Sequence, residues 1–229
     1  MGNKKLTLSE QVYDRLKTMI LSGEIKCGEK IPEQRLVETF GVSRTPVREA
    51  VRRLSNEGVI NIHPNSYAEV ISFTPDDIRN LGIMRITMDC LSAQLAIQNG
   101  SNRDFNSLIQ IIDSCEAANP ETDFLNRIKY DCDFHMRLVE ISGNDLLINT
   151  QHNLYLKAQL LVANKYQENP ASSNRLCSYK EHMAIIDALI QRDVKKALSA
   201  ARDHLVEFYE VNLENVFMPL FSFNHPRLL

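Results

Sequence analysis

Three of the six histidines in the 229-residue chain fall where a helix should bury apolar side chains. In "ETDFLNRIKYDCDFHMRLVEIS", residues 121–142, Asp131 and His135 are four positions apart. A helical advance of about 100° per residue brings them within about 40° of each other, on one face. Phe124, Ile128, Phe134 and Leu138 share that face. His182 in "YKEHMAIIDAL" aligns with Tyr179, Ile186 and Leu189, and His204 in "ALSAARDHLVEFYEV" aligns with Ala197, Ala201, Phe208 and Val211. A carboxylate or imidazole buried without a partner is costly, so each of the four needs one. Taken singly, each could be a hydrogen-bonded core residue. Taken together they could share a divalent metal, with Asp131 and His135 gripping from one helix and two histidines from facing helices. Three nitrogens and one oxygen suit Zn, Ni, Mn or Fe better than Ca or Mg. An octahedral ion so held would keep two positions open to a small organic carboxylate.

A second group points outward. "GVSRTPVREAVRRL", residues 41–54, spaces Arg44, Arg48 and Arg52 by four. On a helix these run down one flank, while Val47, Ala50, Val51 and Leu54 form the buried stripe. Ser43 or Thr45 can cap the start, and Pro46 is tolerated in the first turn, whose N–H groups lack intrahelical acceptors. Free N–H groups, a positive dipole end and Arg44 together suit phosphates and base edges in a major groove.

These residues need a frame. Residues 8–22 read as an amphipathic helix, capped by Thr7 or Ser9 and closed by Gly23. A short helix, "EQRLVETF", stops at Gly41, and the arginine helix runs from about 44 to 57. "EGVINIHPNSYAEVISF" alternates β-branched residues around a Pro-Asn-Ser turn and predicts a hairpin. Three helices and a hairpin within 73 residues make a winged helix-turn-helix. "FTPDDIRNL" then opens a new helix, with Thr74 as cap, Pro75 at the first position and Asp76 and Asp77 in the first turn. Helical patterns follow at 75–99, 102–118, 121–142, 144–168, 172–192 and 194–216. The expected fold is mostly α: a DNA-binding head over 1–73, an all-α bundle over 74–217 and a tail over 218–229.

Composition is that of an ordinary soluble folded protein. The chain is 44% hydrophobic and 24% charged, with net charge −3. Residues through Phe73 hold 11 basic and 9 acidic side chains, the remainder 15 and 20, so a mildly basic head sits on an acidic body. No apolar run reaches the roughly 18 to 20 residues of a membrane span. No signal peptide or myristoylation pattern opens the chain. The five cysteines are scattered and lack any CxxC pair, which predicts free thiols in the cytoplasm.

The stretch "IKCGEKIPEQRLVETFGVSRTPVREAVRRLSNEGVI" resembles the winged-helix domain of the GntR superfamily of bacterial transcription regulators. The signature "VSRTPVREAL" is matched from Val42 to Val51, with Val for the final Leu. The resemblance implies DNA contacts by Arg44 and Arg48, with Ser43, Thr45 and Arg52 beside them. Relatives commonly carry an arginine one residue before Arg35, where this chain has Gln34, which makes Arg35 the candidate to replace that contact. At the wing, "HPNSYAE" replaces the usual Arg-Gly, leaving His63 and its neighbours to face the minor groove. The helical region resembles the FCD effector-binding domain of the FadR subfamily through "DCDFH", "SGN", "EH" and "HL". That likeness implies a metal held by Asp131, His135, His182 and His204. "MRITMD" is similar to the family's Arg-x-x-x-acid element, which makes Arg85 the carboxylate clamp, with Asp89 where Glu is usual. Asn144 reads as a helix cap, His152 and His225 as surface residues, and Cys132 lies off the metal face.

The function this predicts is a homodimeric repressor. Two heads meet a pseudo-palindromic operator with half-sites about 34 Å apart, and a carboxylate effector changes their spacing. A metal-dependent hydrolase is the contrasting reading. It would need a general base on the metal face, and Glu181 and Asp203 are expected about 100° aside. In a third reading the ion is purely structural, or is itself the signal.

Overall fold

The computed structural model describes residues 6–63, 67–119, 122–168 and 178–211. The head consists of α1 (Leu8–Leu21), β1 (Lys30–Ile31), α2 (Glu33–Phe40), α3 (Arg44–Asn56), β2 (Ile60–His63) and β3 (Tyr67–Val70). Thr7 and Glu10 form a reciprocal capping box at the start of α1. Val12, Leu16 and Met19 of α1 meet Leu36 of α2 and Val47, Ala50 and Leu54 of α3 in one apolar cluster. The buried stripe of α3 therefore matches its sequence pattern, and its arginines are left on the exposed flank.

The expected hairpin is one strand short of what forms. β3 pairs antiparallel with β2, with Ile60 opposite Val70 and His63 opposite Tyr67, and also with β1, with Ile31 opposite Ala68. β1 is only two residues long, too short for alternation to announce it. The wing tip expected at Pro64, Asn65 and Ser66 lies outside the described residues.

The second part is helical: α4 (Pro75–Asn99), α5 (Asn102–Ala117), α6 (Phe124–Ile141), α7 (Asp145–Glu168), α8 (Tyr179–Ile190) and α9 (Val194–Tyr209). Thr74 and Asp77 make the capping box predicted for α4, with Pro75 in the first turn. Asn144 caps α7 by accepting the Leu147 N–H at 3.1 Å. The pattern extended the last helix to 216, but α9 ends at Tyr209, where Glu210 turns left-handed. Residues 212–229, with the expected tail and His225, and residues 172–177 of the fifth pattern lie outside the described residues. Cys27, Cys90 and Cys132 are free. Cys115 is disulfide-bonded, which corrects the expectation of five free thiols. Scattered spacing carries no information about which thiols meet in space.

The two parts share a wall. Leu156 and Leu160 of α7 belong to the apolar cluster of the head, and Leu21 of α1 packs with Ala163 and Val162 of α7. Elsewhere α4 and α9 lie so close that a Cβ added at Gly82 would stand 2.4 Å from Tyr209 Cβ. Gly82 thus lets Tyr209 reach Arg85, its hydroxyl lying 3.4 Å from Nη1. Gly82→Ala should force these helices apart and destabilise the fold by about 1–3 kcal/mol. Thermal unfolding measures this, and an unchanged midpoint would contradict the close approach.

Candidate metal centre and nucleic-acid interface

The four inward groups meet. Asp131 and His135 come from α6, His182 from α8 and His204 from α9, and one ligand atom of each lies within 4.8 Å of the others. His182 Nε2 is 3.5 Å from Asp131 Oδ1, His135 Nε2 is 4.0 Å from Asp131 Oδ2, and His204 Nε2 is 3.2 Å from His135 Nε2. His135 and His182 are fully enclosed.

A second layer orients each ring. His182 Nδ1 donates to the Ser178 carbonyl at 3.0 Å, and His204 Nδ1 faces Glu181 Oε2 at 2.9 Å. His135 Nδ1 lies 3.1 Å from Asp89 Oδ2, out of line for a hydrogen bond. The acceptors at His182 and His204 hold their protons on Nδ1, so those two Nε2 lone pairs point into the centre. Burial first, then the neighbouring His204 and His135, push the His182 pKa well below its ordinary value. Burial likewise lowers His135, against the pull of Asp89. Neutral imidazoles are the form that ligates a metal. His182 Nε2 is buried without a hydrogen-bond partner, a vacancy in bonding that a cation would fill. The donor set and the unsatisfied nitrogen both fit a divalent ion.

Asp89 holds this layer together. Burial alone would raise its pKa, but the Arg85 guanidinium and His135 hold it well below the usual carboxylate range. It accepts from Arg85 Nη2 at 3.2 Å, Gln151 Nε2 at 3.1 Å and Tyr155 OH at 2.5 Å. Arg85 also lies over the Tyr155 ring, 4.2 Å from its centroid. It borders a cavity of about 50 Å³ together with Asp131, His204 and Tyr209. Its Nε is buried and unpartnered.

The sequence singled out the four ligand candidates and Arg85. It missed the roles of Glu181, Gln151, Tyr155 and Tyr209. Periodicity set Glu181 aside from the metal face, yet its side chain reaches back to His204. Gln151 and Tyr155 are an i,i+4 pair on the buried face of α7 and could have been found by the test that found Asp131 and His135. Tyr179, expected on the His182 face, is instead 39% exposed.

On the head, Arg48, Arg52 and His63 line one groove of about 470 Å³ between α3 and the wing. The side chain of Ser43 makes no capping bond, so it leaves the first-turn N–H groups of α3 without that partner. Ser43, Arg44 and Thr45 are exposed there. Arg44 and Arg48 do not project freely. Arg44 Nη2 contacts Gln34 Oε1 at 3.4 Å, and Arg48 pairs with Glu33. With the Arg48 side chain 57% exposed, solvent screens that pair and a phosphate can displace Glu33. Arg35 is bound to Glu29 at 2.7 Å, outside the groove lining, and His63 faces Glu69 at 2.9 Å.

A winged helix-turn-helix with an arginine-lined groove, joined to a helical part able to hold a metal, defines a DNA-binding transcriptional regulator. The chain belongs to the bacterial regulatory proteins of the gntR family that carry an FCD domain: the gntR match covers residues 8–70 and the FCD match residues 81–207. It is therefore a regulator and not an enzyme. Among its relatives is the uncharacterized HTH-type transcriptional regulator YdhC of Bacillus subtilis, 28% identical over 90% of this chain and 89% of that one. The HTH-type transcriptional repressor NanR of Klebsiella aerogenes is 27% identical, over 90% and 84%. The Glc operon transcriptional activator of Escherichia coli K12 is 25% identical, over 94% and 92%. The solved structure of E. coli McbR/YncC shares the fold, with a TM-score of 0.74 at 20% identity over 90% of this chain and 96% of that one. No helix among the described residues is long and apolar enough to cross a membrane.

Replacing His135 and His182 together by Ala should lower bound metal well below one ion per chain. Atomic emission on the purified protein reads this directly, and full occupancy would rule out these ligands.

Proposed function

We propose that the protein is a homodimeric cytoplasmic repressor of the FadR subfamily. It grips a pseudo-palindromic operator with residues 1–73 and releases it when a small carboxylate enters residues 74–217, with 218–229 as a tail. The observation that carries this reading is the buried, unpartnered Nε2 of His182, which faces Asp131 in a centre whose bordering cavity also reaches Arg85. Asp131, His135, His182 and His204 would hold Zn, Ni, Mn or Fe. A bound ion would supply Lewis-acidic positions for the acid's oxygens.

The rest falls to the side chains. Arg85 has donors to offer an arriving carboxylate on two edges of its guanidinium: the unpartnered Nε, beside the Nη2 that Asp89 now holds, and Nη1, whose bond to Tyr209 is long. Engaging them draws the guanidinium from Asp89, and Asp89 is the acceptor for Tyr155 on α7. Leu156 and Leu160, next along α7, are packed into the head. The acid thus acts on the helix against which the head rests. Coupling of about 1–3 kcal/mol would change operator affinity 5- to 150-fold. In the head, α3 enters the major groove with Arg48 and Arg52 on its flank. Arg44, Ser43 and Thr45 sit at its positive end, His63 faces the adjacent groove, and Arg35 approaches the backbone.

Arg48→Ala should abolish sequence-specific binding while the fold stays intact. Footprinting on an operator selected from random duplexes measures this, and an unchanged footprint would contradict the assignment. Arg85→Lys keeps the charge but loses the fork. Losing about 1.5–3 kcal/mol of charge-assisted hydrogen bonding should weaken carboxylate binding roughly 10- to 100-fold, with operator binding retained. Calorimetry on metal-loaded protein decides this. Binding of no small carboxylate, with metal removal merely unfolding the bundle, would make the ion structural and overturn the effector reading.

A further inference from the structure

The three arginines spaced by four along α3 differ in what they touch. Arg44 contacts the neutral amide of Gln34, and Arg52 is exposed with no ion pair among the described residues. Arg48, midway between them, carries a carboxylate. Its Nε donates to Glu33 Oε1 and its Nη2 to Glu33 Oε2, the second bond being 3.1 Å long. Glu33 opens α2, where the dipole of a helix favours an anion. Leu36, a turn further on, packs with Val47 in the core of the head, so α2 holds the acid against the flank of α3. Glu33 and Arg48 both line the groove between α3 and the wing.

A guanidinium presents a side edge and an end edge, each with two N–H donors. Glu33 takes the side edge of Arg48, formed by Nε and Nη2. The end edge, formed by Nη1 and the other hydrogen of Nη2, stays open. The two kinds of DNA acceptor respond differently to this. Guanine offers O6 and N7, neutral atoms spaced for an arginine fork, and a carboxylate behind the fork does not repel them. The carboxylate also fixes the direction in which the fork points. A phosphate is an anion. At the end edge it meets the field of Glu33, and to reach the side edge it must displace Glu33.

We infer that Glu33 is a specificity-determining residue of the DNA-binding face. It braces Arg48 so that this arginine reads guanine and adds little to the attraction of bare phosphates. Arg44 and Arg52, which have no acid behind them, remain open to the backbone, whose contacts position the protein without reading sequence. The inference rests on the placing of Arg48 in the major groove proposed above.

The test compares a duplex selected from a random pool by the full chain with an unrelated duplex of equal length. Glu33→Gln keeps the shape of the side chain and removes its charge. Each chain should then hold the unrelated duplex roughly 1.5- to 5-fold more tightly, the range of an exposed ion pair. As Arg48 takes up a phosphate, the slope of log K against log salt should steepen by about 0.9 per chain. The selected duplex should gain less, so the ratio of the two affinities falls. A fresh selection with Glu33→Gln should return half-sites in which one guanine is no longer fixed. Glu24→Gln makes the same change of charge beside the turn that rests on α7, and should do none of this. An equal response from Glu24→Gln would reduce the effect to net charge and overturn the inference. An unchanged or larger ratio would overturn it as well. If Arg48→Ala binds both duplexes as the unaltered chain does, the groove assignment fails too. If Arg48→Ala loses the selected duplex while Glu33→Gln changes nothing, the role of Glu33 alone falls.

Discussion

Everything in the helical part depends on one buried carboxylate. Asp89 comes from α4, the histidine it faces from α6, and two of its donors from α7. Such a charge is tolerable only when its oxygens are satisfied, and here Arg85, Gln151 and Tyr155 satisfy them. Those bonds tie α4 to α7. His135 of α6 lies 3.1 Å from the same carboxylate, on one side of the centre that His182 and His204 complete. Removing Arg85 would leave an unpaired negative charge in the core, and removing Gln151 or Tyr155 an under-satisfied carboxylate oxygen.

The second constraint is the wall that the two parts share. α7 is apolar on more than one side: Tyr155 turns toward Asp89, while Leu156 turns into the core of the head. Two consecutive residues therefore belong to different clusters. The head meets the helical part through packed side chains in addition to the chain connection, and packed cores pass small displacements on as discrete repacking.

Much of this was legible in the sequence because helices expose their pattern locally. The stripe of Val47, Ala50 and Leu54, the caps at Thr7 and Thr74, and the inward placing of Asp131, His135, His182 and His204 all follow from 100° steps and the cost of burying polar groups. What escaped was set by contacts distant in sequence. β1 exists because Ile31 meets Ala68, and two residues carry no periodicity. Glu181 lies off the metal face by angle, but a flexible side chain can return to His204. Arg48 was rightly placed on an exposed flank, while its pairing with Glu33 depends on how α2 lies across α3. The disulfide at Cys115 was equally invisible, since pairing follows spatial proximity.

The head rests on α7 at two glycines. The turn after α1 brings Gly23 against Gln167, and the turn after α3 brings Gly58 against Lys157, each so near that a Cβ would overlap the side chain. Both backbones have positive φ, which a side chain would strain further. The two rests are ten residues apart on one helix, about 15 Å. Leu156, Leu160 and Ala163 pack against the head beside and between those rests, so the two parts meet along three turns of one helix and not at a single point. A contact of that length leaves the recognition helix little freedom to swing unless α7 itself shifts.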